Sequence, residues 1–352
     1  MTEEPPDPGS PGWDAIDAAL AARYGEAEPQ HFGTLIPWRL GGPDPLDGIS
    51  AYPRTDPVPH WHLVSYGMSE LYGKESDNTA ESGWGFELTL RLARGADDAE
   101  PPAWALNLLQ NLARYVHQSG NWFEPGHHLN LAGPINTDRP DTLLCAAGFV
   151  LDPELGTIDT PNGTVRFLQI VGLTAEEYEA TQRWNTGAVL DVLGTRLPLL
   201  VTDLDRASLH TDEHIAATVR AGIAADGSST GHVHVDVVDF AVRRGRVALT
   251  VGAHPAPSVA AMLTGRLPYG RALTVAGPRR QVTFVPGGEF AARAEDDTLT
   301  LTLPPETVTE LAELLHPRRT SVTLDTAPDL TVHIERSQIR DPATGAVVDT
   351  VG

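Results

Sequence analysis

The side chains best spaced for chemistry are His232, His234 and Asp236. In the run His232-Val233-His234-Val235-Asp236, strand alternation would turn two imidazoles and a carboxylate to one face, a donor set suited to zinc or iron and to a metal-dependent enzyme. The same alternation beside Val233, Val235 and Val237 is also what a half-buried strand shows, and no third histidine motif pairs with it. His60-Trp61-His62 offers a second pair. The aromatic residues around it favour packed, hydrogen-bonded imidazoles. His127-His128 sits in a glycine-flanked loop, and Asp203-Leu204-Asp205 lacks the further carboxylates or phosphate-binding glycines that a cation or nucleotide site requires. The chain contains no nucleophile elbow, phosphate loop, dinucleotide fingerprint or His-Glu-x-x-His. The balance falls on binding: not an enzyme, with no metal and no cofactor.

These residues must be held by mixed elements. Trp13, Ile16, Leu20 and Tyr24 recur at helical spacing up to Gly25, and Trp104, Leu108, Leu112 and Tyr115 form a stripe between Pro101-Pro102 and Ser119-Gly120-Asn121. Strands are predicted over 34–38, 61–66, 84–92 and 164–173, with turns forced at Gly41-Gly42-Pro43-Asp44-Pro45 and a polar loop over 73–83. Thr174-Ala175-Glu176-Glu177 is a capping box opening a helix towards Trp184, and Asp212 caps another carrying Ile215, Val219 and Ile223. Beyond the linker-like 226–231 stretch, strands are predicted over 233–240, 246–251, 281–285, 298–303, 320–324 and 330–334, with helices near 258–263 and 306–315.

A length of 352 residues implies two domains. Acidic side chains number 47 against 25 basic, a formal net charge of -22, which repels nucleic acid and anionic lipid. That field suits a basic partner, and it serves solubility equally well. The sole cysteine, Cys145, excludes an internal disulfide and points to a reducing, cytoplasmic setting. The acidic, proline-rich start is not a signal peptide, and no apolar run reaches membrane-spanning length. One lysine, Lys74, amid abundant Ala, Arg, Gly and Pro is the bias of a GC-rich coding sequence and points to a bacterial source.

The run Trp38-Arg39-Leu40-Gly41-Gly42-Pro43-Asp44-Pro45-Leu46-Asp47, followed by His60-Trp61-His62, Ser65-Tyr66-Gly67 and Leu71-Tyr72-Gly73, resembles the N-terminal signature of the Suppressor of fused family. The resemblance continues through Gly85–Thr89, Leu112–Val116, Phe167–Gly172 and Gln182–Asn185, and more thinly through Gly265-Arg266-Leu267 and Thr283-Phe284-Val285. It implies a two-lobed α/β (α+β) fold with mixed and antiparallel sheets flanked by helices. The domains would be a disordered tail over 1–12, an N-terminal domain over 13–226, a linker over 227–231, a C-terminal domain over 232–340 and a frayed end over 341–352.

The resemblance also implies a non-catalytic module that clasps an extended protein segment between its lobes by strand addition. Tyr115 matches a tyrosine of the family's peptide-binding surface, and Phe123 falls at an aromatic position in the loop after it. His127 stands where animal members carry an acidic residue, which implies a changed ligand. From the residues alone, Tyr115 could equally complete the helix stripe in the core, and Trp38, Trp61, Trp84 and Trp184 are read as packing. The role this implies is that of a bacterial immunity protein neutralising a cognate, basic toxin. A cytoplasmic regulator sequestering an endogenous protein, and the metal enzyme built on His232, His234 and Asp236, are the alternatives.

Overall fold

Residues His60–Tyr66 are buried at every position, the mark of a strand covered on both faces, and the first unit is built around it. The computed structural model describes residues 9–36, 38–340 and 346–352. The chain divides into two units. The first runs to Thr181 and resumes over Thr186–Ala216, and the second takes Gln182–Asn185 and Ala217–Gly352.

The first unit begins with α1 (Pro11–Tyr24), β1 (Gln30–Gly33), β2 (Gly48–Arg54), β3 (His60–Tyr66), β4 (Glu81–Ala93) and α2 (Ala103–Ser119). It continues with β5 (His128–Asn130), β6 (Leu144–Leu151), β7 (Thr157–Thr160), β8 (Gly163–Thr174), α3 (Ala175–Arg183), α4 (Thr186–Gly194) and the start of α5 (Glu213–Asp226). The strands form one sheet in the order β1-β2-β3-β4-β8-β6-β5, with β7 also on β8; β4 and β8 run parallel. Trp61 and Leu63 of β3 pack with Leu108, Leu109, Leu112 and Val116 of α2 on one face. Val64 and Tyr66 point the other way, to Ile16, Leu20 and Tyr24 of α1, so one helix covers each side.

The second unit holds β9 (His232–His234), β10 (Val238–Arg243), β11 (Arg246–Gly252), α6 (Ala256–Arg266), β12 (Leu273–Ala276), β13 (Gln281–Pro286) and β14 (Ala291–Glu295). After these come β15 (Thr298–Leu303), α7 (Pro305–Leu314), β16 (Thr320–Thr323), β17 (Leu330–Glu335), β18 (Ser337–Arg340) and β19 (Val347–Val351). Two mixed sheets, β10-β11-β17-β16 and β14-β15-β13-β12-β9, share one core with α6 and α7. The fold is therefore mixed α/β with seven α-helices among the described residues.

Several expectations are corrected. The strand predicted over 34–38, of which position 37 lies outside the described residues, lies earlier, at β1: its pairing with β2 runs from Gln30 to Gly33 opposite Ala51 to Gly48, and Thr34 N–H still reaches Asp47 C=O. Trp38–Leu40 is a 3-10 turn. Of the tail predicted over 1–12, residues 1–8 lie outside the described residues, whereas Pro11 and Gly12 open α1, proline being suited to a first helical turn. The strand predicted over 233–240 splits into β9 and β10, which belong to different sheets.

The stretch read as a linker is built into the second unit. Gly227 and Ser228 are buried, Ser228 Oγ donates to Gln182 C=O, and Ser228 C=O accepts from Arg266 at 2.8 Å and Arg271 at 3.0 Å. Gly227 has φ +65, and a Cβ there would lie 2.5 Å from Gly265 C=O, so small residues serve close packing here rather than flexibility. Of the end read as frayed, 341–345 lie outside the described residues, but the β-branched run at β19 pairs antiparallel with β18.

Candidate protein-binding site

Helix α2 ends where Gly120 adopts the left-handed conformation at φ 72 and donates to Val116 C=O at 2.9 Å. The chain then loops through 121–127 back to the sheet. Within this loop Phe123 is buried, and it links the helix to the core through a pile of rings. Tyr115 stacks on Phe123 with centroids 5.7 Å apart, and Phe123 stacks on the buried Phe149 at 4.1 Å. Tyr115 is 39% exposed. It therefore does not complete the core stripe of Leu108 and Leu112; it is the outer plate of a stack whose base is fixed.

Of the residues implied by the resemblance, Tyr115 and Phe123 come together, but Phe123 is a support at 5% exposure. The outward aromatic of the loop is its neighbour Trp122, 52% exposed, whose indole N–H donates to Glu124 Oε1 at 3.2 Å. The residue reading missed Trp122, although consecutive aromatics after a helix stop must split between core and solvent. His127 is exposed. Its Nδ1 accepts from Glu124 N–H at 3.2 Å, closing a turn through Gly126 at φ +93, and its C=O accepts from Phe149 N–H at 3.0 Å.

That last bond starts β5, which is three residues long and forms the edge of the sheet beside β6. Because His127 C=O and Leu131 N–H both bond towards β6, the alternation of an antiparallel ladder turns the backbone groups of His128 and Asn130 away from it. A short row of outward N–H and C=O groups beside exposed aromatics is what an added strand requires. The His128 ring is held at the back. Its Nδ1 lies 3.1 Å from Thr186 Oγ1, Tyr178 meets it edge-on, and burial pushes its pKa down to about 4.

The other histidines serve the interior or the solvent. His60 is buried, with Nδ1 2.7 Å from Val58 C=O. His62 bridges Tyr24 Oη and Asp152 Oδ2, the latter at 3.1 Å, and Arg91 donates to the same Asp152 oxygen at 2.6 Å and to Glu154 at 2.9 Å. Burial lowers the His62 pKa to about 4. Burial opposes ionisation of Asp152 as well, but hydrogen bonds from His62 and Arg91 outweigh it and hold the carboxyl far below its ordinary range. This network of buried side chains pins the end of α1 to the sheet.

His232 and His234 are exposed on edge strand β9, and the strand ends before Asp236, which lies against Gly252. No group of three His, Cys, Asp or Glu among the described residues has metal-holding geometry. Asp203 and Asp205 shape a turn, with Asp205 N–H donating to Asp203 at 3.0 Å. Among the tryptophans, Trp61 is buried and Trp84 and Trp184 are half-buried. Trp38, read as packing, is 39% exposed on the 3-10 turn Trp38–Leu40.

A family profile described as Suppressor of fused protein (SUFU) matches residues 42–207. The human and mouse proteins named Suppressor of fused homolog are each 37% identical over 238 residues, covering 61% of this chain and 49% of theirs. The chain thus spans about half the length of the curated relatives it matches. The crystal structure of Drosophila Suppressor of Fused shares the fold, with TM-score 0.80 over 95% of this chain and 99% of that one at 24% identity. A chain of the Sufu-Fu complex crystal structure matches with TM-score 0.56 at 34% identity, over 61% of this chain and 98% of that one. No helix among the described residues is long and apolar enough to cross a membrane.

Proposed function

Because the chain belongs to the Suppressor of fused family, we propose that it acts by binding, not catalysis: it sequesters a partner protein, as a bacterial immunity protein neutralising a cognate toxin. The observation that carries the binding reading is the outward edge of β5 beside the anchored Tyr115 and exposed Trp122. An extended segment would take its main-chain bonds from His128 and Asn130 and its side-chain contacts from Tyr115 and Trp122. A relative solved as a Sufu-Fu complex supports a protein ligand. His127 alters the charge beside the edge, so the segment recognised here differs from the one animal members hold.

The toxin reading rests on charge. A net charge of -22 speeds encounter with a basic protein and masks a nucleic-acid-binding surface, which is the surface a nuclease toxin exposes. The setting is the cytoplasm, where the lone thiol of Cys145 stays reduced. Co-expression tests this part. The chain should relieve growth arrest caused by the toxin encoded beside its gene, and Tyr115→Ala should not. Relief by neither form, with capture of a harmless endogenous protein instead, would replace immunity with regulation.

A further inference from the structure

The first unit opens a second concavity, between the turn after β1 and the loop after β3, with a volume of about 400 Å3, within the range of ligand pockets. Its walls are aromatic. The Trp38 and Trp84 rings each lie 5.4 Å from the His117 ring, and Tyr72, 39% exposed, stands among the same lining residues. The Trp84 indole N–H donates to His117 Nε2 at 3.2 Å, so that nitrogen is an acceptor, and burial lowers the His117 pKa; the imidazole brings no positive charge.

Three carboxylates line the space, Asp47, Glu70 and Glu75. Glu70 is spent on Lys74, 2.8 Å away, and on the backbone N–H groups of Glu75 and Gly83. Asp47, which accepts from the Tyr72 hydroxyl, and Glu75 face a single lining cation, Arg39, which leaves the cavity with an excess of negative charge. Ring faces carry negative potential and reject anions, so walls and charge select the same ligand. Arg39 already shows how such a ligand would sit: its guanidinium lies 4.3 Å from the Tyr72 ring centroid.

We propose that this cavity is a socket for a guanidinium side chain of a partner protein, and that Arg39 holds the Tyr72 face until the incoming group displaces it. The socket is separate from the Tyr115 and β5 surface, and its test does not depend on that reading.

The full chain is titrated with ethylguanidinium, with neutral ethylurea and with propionate, following the indole N–H resonances of Trp38 and Trp84. Saturable shifts are expected with ethylguanidinium alone. Tyr72→Ala should weaken binding about tenfold, the scale of one cation–π contact. Arg39→Ala should tighten it by removing the competitor, and Tyr115→Ala should leave it unchanged. Circular dichroism melts confirm that each variant is folded; if Tyr72→Ala is not, Asp47→Asn replaces it with the same expected weakening. Equal shifts with ethylurea, preference for propionate, loss of binding in Arg39→Ala, or no saturable shift would each overturn the proposal.

Discussion

Truncating the outer ring Tyr115 and the middle ring Phe123 of the Tyr115–Phe123–Phe149 stack separately distinguishes a displayed side chain from a supporting one. Phe123 is buried between two rings, so Phe123→Ala removes its transfer free energy and leaves a cavity, which costs about 3–5 kcal/mol in a packed core. Tyr115 touches Phe123 on one face and is 39% exposed. Tyr115→Ala should therefore cost only the stacking, about 0.5–1.5 kcal/mol, plus partial area burial, for a total near 2 kcal/mol. Urea unfolding reports both, with the two variants compared at equal m value. In the double variant the losses should fall short of additivity by about 1 kcal/mol, because the second truncation finds its partner already gone. Equal losses at the two positions, or a larger loss at Tyr115, would refute the assignment and return Tyr115 to the core.

Acidification should destabilise the fold through His62 and His128. Both have pKa values lowered to about 4, so between the ordinary value of 6.5 and 4 the unfolded chain binds protons that the folded chain does not. Stability is then full above pH 6.5 and falls towards pH 4, by up to about 3 kcal/mol per histidine; urea midpoints across that range measure it, and His128→Gln should reduce the slope. Asp152→Asn leaves the buried Arg91 guanidinium without its main countercharge and should cost about 3–5 kcal/mol, read by thermal melting. Thr174→Ala removes the hydroxyl that accepts from Glu177 N–H and should cost about 1 kcal/mol, read by the same melt.

How far the fold could be read from residues follows from how local each signal is. The capping box at Thr174 is met by reciprocal bonds with Glu177, and the α2 stripe buries Leu108 and Leu112, because both patterns are complete within a few residues. Strand β2 was missed because Gly48 and Pro53 interrupt it, and β6 because Leu-Cys-Ala-Ala-Gly-Phe-Val-Leu does not alternate. In the candidate site, the resemblance singles out Tyr115, which the structure leaves 39% exposed on the Phe123 ring. The edge at β5 was not legible, since three residues carry no period and its outward face exists only once β6 pairs on the inner side. The His62–Asp152 pair spans 90 positions, so only the sheet brings it together.

The most direct test of the binding account is affinity capture from an extract of the source organism with three baits: the purified chain, Tyr115→Ala, and Asn130→Pro, which removes an outward N–H of β5 at an edge position where proline is tolerated. The account predicts one protein captured in stoichiometric amount by the unaltered chain. Tyr115→Ala should weaken that capture by a few kcal/mol, the scale of an aromatic hot spot, and Asn130→Pro should abolish it while the bait remains folded. Capture undiminished by either substitution, or no specific partner at physiological salt, would contradict it.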